Sequence, residues 1–147
     1  TTYNLGGWTH SEIYPNEIYE YERGTKVYTG RPTTPWTGKI ALAYPSDYGY
    51  AADLNQCKDI TLYNYDNSTC TSNNWMKAIL GTSSYGWLLT PNSRDSNTAW
   101  YVHSNGFVIS NYHAFNANGA VPVLSLSSEL GIESGDGSSS KPYKLSA

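Results

Sequence analysis

The stretch from Trp87 to Leu126, WLLTPNSRDSNTAWYVHSNGFVISNYHAFNANGAVPVLSL, decides how this chain is read. Three segments in it have strand character (Trp87–Thr90, Ala99–His103 and Val121–Leu126), and a fourth short strand is expected at Phe107–Ser110. Between them lie inserts made almost entirely of Asn, Ser, Asp, Tyr and His. Such loops make a poor core and a good contact surface, because Tyr offers rigid amphipathic area and Asn and Ser adaptable hydrogen bonds. A firm framework displaying a polar, aromatic-dotted face points to recognition rather than chemistry.

Outward from that stretch, composition sets bounds. The chain has 147 residues, enough for one domain with a real core. It carries 14 Tyr and 5 Trp against 2 Phe and 1 Met, so much of its buried area must come from rings whose polar tips need partners. Charged residues are 14%, and the net charge is −3. The few Lys and Arg are scattered singly, which argues against a nucleic-acid footprint. No apolar run approaches the roughly 20 residues of a membrane span. No charged segment leads into an apolar one, so any export or anchoring signal is expected upstream. Cys57 and Cys70 make an even pair and favour a disulfide, worth about 3 kcal/mol by loop closure. The competing metal or redox reading has neither CxxC spacing nor a nearby His.

Towards the N-terminus, Tyr3–Trp8 suits an edge strand or packing across the base. Asn16 reads as the N-cap of a short helix that Gly24 ends, with Ile13, Ile18, Tyr14, Tyr19 and Tyr21 as its apolar stripe. Gly30–Gly38 is a Pro-rich connection, Lys39–Tyr44 a buried strand, and PSDYGYAADL an irregular loop. The Cys57–Cys70 segment is expected to hold little regular structure. Ser72–Leu80 reads as a second helix ended by Gly81, with Trp75, Ile79 and Leu80 inward. Trp36, Trp75 and Trp87 are expected in the core. SGDGSSS at 134–140 is a turn, after which Lys141–Leu145 can pair along an edge. Two short helices, an antiparallel sheet and long irregular loops make a single α+β domain.

Several strings taken together, YERGTKVYTGRPTTPWTGKIALAYPSDYGYA, NNWM, WLLTP, AWYVHSNGFVIS and AVPVLSLSSELGIESGDGSSSKPYKL, resemble the C-type-lectin-like domains of bacterial surface and pilin-like proteins of gut Firmicutes type. The resemblance spans nearly the whole chain. It implies that WLLTP and VPVL are framework strands, and that the segment between them forms the exposed ligand face. The Asn92–Asn97 and Asn111–Asn118 inserts also look like the variable proteins of diversity-generating retroelements. Departures limit the carry-over. The EPN, QPD and WND motifs of calcium-dependent sugar-binding lectins are absent, as is the four-cysteine pattern. The cysteine motifs of formylglycine-generating enzymes, which share the broad fold, are absent too.

The candidate binding residues are therefore Asn92, Arg94, Asp95, Asn97, Tyr101, His103, Asn105, Asn111, Tyr112, His113, Asn116 and Asn118. Trp100 and Val102 should face inward, with Tyr101 and His103 outward. Phe115 is either exposed or a small core beneath its loop. No enzymatic constellation stands out: His10, His103 and His113 lack metal-ligand spacing, and no GxSxG elbow occurs. Asp47, Asp66 and Asp136 read as turn formers in preference to ligands of a structural calcium, which no motif supports. Asn67-Ser68-Thr69 is a glycosylation sequon, idle in a bacterial product. The expectation is an extracellular or pilus-borne domain without cofactor, binding a protein or glycan on another surface. The alternative is a filament subunit whose loops contact neighbouring subunits.

Overall fold

The computed structural model describes residues 2–5, 7–8, 12–26, 35–80, 85–138 and 140–146. Within them run strands β1 (Thr2–Asn4), β2 (Pro35–Thr37), β3 (Ala41–Leu42), β4 (Gly86–Pro91), β5 (Thr98–Val102), β6 (Val108–His113), β7 (Pro122–Val123), β8 (Gly131–Ser134) and β9 (Lys144–Ser146). The helices are α1 (Pro15–Glu22), α2 (Pro45–Tyr50), α3 (Leu54–Cys57), α4 (Ser68–Ser72) and α5 (Lys77–Leu80), with a 3₁₀ turn at Leu62–Asn64. The central sheet is the antiparallel meander β4-β5-β6, and β1-β2, β3-β7 and β8-β9 form separate antiparallel pairs. The class is α+β. It has five described helices where two are expected from sequence.

The two longest helices begin with the same device. Tyr14-Pro15-Asn16-Glu17 and Tyr44-Pro45-Ser46-Asp47 each place Pro at the first helical turn. In each, the acidic residue at the third position accepts from the backbone N–H of the preceding Tyr, Glu17 at 3.1 Å and Asp47 at 2.9 Å. This is half of a capping box, favoured further by negative charge at a helix N-terminus. The N-cap is thus Tyr14 rather than Asn16. The segment PSDYGY, expected as a loop, is a helix of only six residues, too short to show a period. Ile13 and Ile18 are buried as expected, whereas Tyr14 and Tyr19 are exposed.

The Cys57–Cys70 disulfide forms, with Cα atoms 5.9 Å apart and both residues buried. The excursion it closes is more regular than expected, since α3 ends at one cysteine and α4 contains the other. Asp53 and Asn67 cap these helices through their side chains. Disulfides persist in oxidising compartments, and this one points there. Among the described residues no helix is long and apolar enough to cross a membrane.

The main core lies between the helical half and the inner face of β4-β5-β6. Ile13, Ile18, Tyr48, Leu62, Tyr65, Leu80, Leu88, Trp100, Val102 and Val108 meet there, with the disulfide. Two phenols in this core find backbone acceptors, Tyr48 at Gly106 O (2.8 Å) and Tyr65 at Gly49 O (3.2 Å).

Several expected burials fail. Trp36 is 44% exposed on β2, and Trp75 is 65% exposed in the turn before α5. The helix expected over Ser72–Leu80 is broken there, so Met76 and Leu80 are the inward residues and Ile79 lies outside. Only Ala41–Leu42 of Lys39–Tyr44 and Pro122–Val123 of Val121–Leu126 are strand, leaving Leu124 and Leu126 exposed. Lys144–Ser146 pairs with β8, and no residue of that hairpin's two strands is buried. Gly81 and His10 lie outside the described residues.

Candidate functional site

Strand alternation builds the candidate site. In β4, Gly86, Leu88 and Thr90 face the main core while Trp87, Leu89 and Pro91 take the opposite face, where Leu89 packs against the smaller buried cluster of Tyr3, Ala41 and Tyr44; in β5, Trp100 and Val102 face in and Tyr101 faces out. Registers Trp87↔Tyr101 and Tyr101↔Ile109 set these outer positions side by side. The register then slips, because Ala99 pairs with Tyr112. One extra residue in β6 makes a bulge, which turns Tyr112 onto the same outer face as Ile109 and Tyr101. Expected in a loop, Tyr112 and His113 instead end this strand.

The outcome is a continuous ribbon of rings. Tyr85 contacts His103 (4.6 Å between centroids), Tyr101 (5.2 Å) and Tyr112 (5.2 Å). Trp87 meets Tyr101 and Tyr112, both at 6.0 Å. Phe107 stacks on His103 at 4.3 Å and is met by Tyr63 at 5.7 Å. Within it Tyr85, Trp87, His103, Phe107 and Tyr112 are half-buried and Tyr63 is exposed. Offset and edge arrangements of this kind hold rings in fixed relative positions.

Tyr101 is the exception. It faces outward as expected but is only 5% exposed, covered by its ring neighbours. Burial, with the Tyr85 and Tyr112 phenols beside it, pushes its hydroxyl up to about 12. That hydroxyl donates to Asn111 Oδ1 at 3.2 Å. Tyr101 is the keel of the ribbon, not its contact surface.

The polar candidates divide. His103, Asn105, Asn111 and Tyr112 lie on or beside the ribbon; His103 Nδ1 accepts from Asn105 N–H at 3.2 Å in the tight 103–107 turn. The 92–97 loop joins the end of β6, where Ala114 N–H donates to Asn97 O at 2.8 Å. Within that loop Asn92 and Asp95 do structural work. Asn92 Oδ1 accepts from Arg94 N–H, Asn92 Nδ2 donates to Ser110 O, and Asp95 Oδ1 accepts from Asn97 N–H. Arg94 and Asn97 are exposed, and Asn116 is half-buried. His113 stacks on Phe115, which is 82% exposed and forms no core. Asn118 is half-buried, and its enclosed amide nitrogen has no hydrogen-bond partner among the described residues.

Sequence reading missed four ribbon members: Tyr63, Tyr85, Phe107 and, because it was assigned to the core, Trp87. The alternation Tyr85-Gly86-Trp87-Leu88 carried the signal for two of them. Asp47 and Asp136 accept backbone N–H groups, from Tyr44 and Ser138, as their turn and cap roles require. Among the described residues no three His, Cys, Asp or Glu converge on a common point.

A second polar cluster joins α1, α2 and β4. Glu22 is 0% exposed, and its Oε1 accepts from Ser46 N–H and the Thr90 hydroxyl, both at 3.4 Å. Burial pushes its carboxyl up to about 8, against the opposing pull of Ser46 and Arg23. Arg23 donates to Ser46 Oγ (2.9 Å) and Asp47 Oδ1 (2.7 Å) while lying 4.3 Å over the Tyr44 ring. No family model, curated protein or solved structure matches this chain.

Proposed function

We propose that this chain is an extracellular C-type-lectin-like recognition domain, binding a protein or glycan with the outer face of β4-β5-β6. The observation that carries the reading is the ring ribbon. An ordered aromatic surface held by strands on one side and hydrogen-bonding Asn residues at its edge is suited to stacking contacts and costs little side-chain entropy on binding. Affinity comes from Trp87, His103, Phe107 and Tyr112, with Asn105, Asn111 and Asn97 setting orientation. The ionic groups nearest in sequence, Arg94 and Asp95, sit at the rim, where they affect encounter rate more than affinity.

The test is binding of the purified domain to a glycan array and to an array of extracellular proteins, in calcium and in chelator. A hit lost in the His103→Ala/Tyr112→Ala double variant at unchanged Tm supports this face. A hit indifferent to both substitutions refutes it.

One observation favours a second reading, a filament subunit. The β8-β9 hairpin exposes Ile132, Leu145 and Tyr143, and an isolated two-stranded hairpin is marginally stable in water. A neighbouring subunit covering it would supply the missing burial. Sedimentation of the domain with and without an Ile132→Lys substitution tests this: concentration-dependent assembly lost in the variant supports it, and a strict monomer at high concentration does not.

A further inference from the structure

We propose that a cleft beside the second polar cluster is a separate binding site for one neutral sugar ring. Two cavities, about 290 and 330 Å³, share Tyr3, Arg23, Tyr44 and Ser125 as walls and so form one cleft. Each stands near the lower end of the roughly 300–1,000 Å³ range of small-molecule sites, which suits a single ring better than a peptide. None of its walls belongs to the ring ribbon.

Two buried polar atoms at its floor need an answer. Glu22 lines the first cavity and Tyr3 lines both. Among the described residues, neither Glu22 Oε2 nor the Tyr3 hydroxyl has a hydrogen-bond partner. Buried polar groups without a partner are uncommon in folded proteins, and each calls for one, a bound water included. A hydroxyl both donates and accepts, so it is the kind of partner that either group lacks.

Charge narrows the class. Asp47 neutralises Arg23 at 2.7 Å, and burial keeps Glu22 protonated at neutral pH, so the cleft favours neither an anion nor a cation. The guanidinium and carboxylate stand side by side as donor and acceptor. That arrangement matches two adjacent hydroxyls, one accepting from Arg23 and one donating to Asp47. Trp75, on the wall of the second cavity, is the exposed indole described above and has no ring partner among the described residues. It offers an apolar platform for the C–H face of a sugar. Polar fork, exposed indole and neutral floor together select a neutral polyhydroxy ring.

The experiment follows the five indole N–H resonances in ¹H–¹⁵N spectra, with Trp75 assigned through Trp75→Phe. Glucose, galactose, mannose and N-acetylglucosamine are titrated separately to about 50 mM, well above a ~1 mM dissociation constant. At least one should move the Trp75 resonance saturably. Saturation transfer from protein to that sugar should fall about tenfold in Trp75→Ala and persist in Trp87→Ala. Trp75 is exposed, so its variant should keep the wild-type Tm. No movement of Trp75 with any of the four sugars overturns the proposal. Transfer that survives Trp75→Ala but is lost in Trp87→Ala also overturns it, and places the sugar on the ribbon instead.

Discussion

Replacing Glu22 by Gln should change how the stability of this protein depends on pH. The carboxyl is fully buried, with Arg23 Nη1 at 3.9 Å from Oε2 and no hydrogen bond to that oxygen among the described residues. Burial on folding therefore raises its pKa from the ordinary 4.5 of a solvated Glu to about 8. Below 4.5 the group is protonated in both folded and unfolded chains, and its neutral form is fully tolerated. Between 4.5 and 8 the unfolded chain gives up the proton that the folded chain retains, so stability falls as pH rises. Above 8 both forms are ionised and the loss levels off. At about 1.4 kcal/mol per pKa unit, the full loss is on the order of 4 to 5 kcal/mol. That is a large part of the 5–15 kcal/mol typical of a domain. Gln keeps the shape and an acceptor for Ser46 and Thr90 but cannot ionise. Urea unfolding followed across the range should show the wild type weakening towards high pH, with Glu22→Gln nearly level and the more stable of the two above 8. Parallel curves for the two proteins would refute the reasoning, because the ionisable group would then be elsewhere.

Other expectations follow from the same geometry. Tyr101→Ala should cost about 3 kcal/mol, since its ring is buried beneath the ribbon, whereas Tyr112→Ala should cost less than about 1 kcal/mol; thermal unfolding separates them. Gly106 has φ +103°, and a Cβ there would meet Thr71 Cγ2 at 2.5 Å, so Gly106→Ala should lose about 2 kcal/mol or more. Denaturant midpoints check it, and a wild-type midpoint would sink the argument. Converting both Cys57 and Cys70 to Ser should lower stability by about 3 kcal/mol, roughly 10 °C in Tm, as read by calorimetry.

What the sequence disclosed depended on whether the signal was local. The β4-β5-β6 meander was legible because alternation repeats over enough residues to reveal a face. The disulfide was legible from an even count. The six-residue α2 was not, because a helix that short has no period, although the Tyr-Pro-x-acid start it shares with α1 could have marked it. Trp36 and Trp75 misled because apolar identity does not ensure burial. Tyr112 reached the ribbon through a bulge, a property of pairing rather than of the strand alone. Glu22 was invisible as a buried acid because its partners Ser46 and Thr90 lie 24 and 68 residues away.

The meander divides its labour residue by residue. Trp100, Val102, Val108 and Ser110 are sealed inside, while Trp87, His103, Phe107 and Tyr112 remain at the surface. Substitutions that change the exposed face and substitutions that change folding therefore fall largely on separate positions along the same strands. Tyr101 links the two sets, pointing outward with the surface rings yet buried beneath them like the interior.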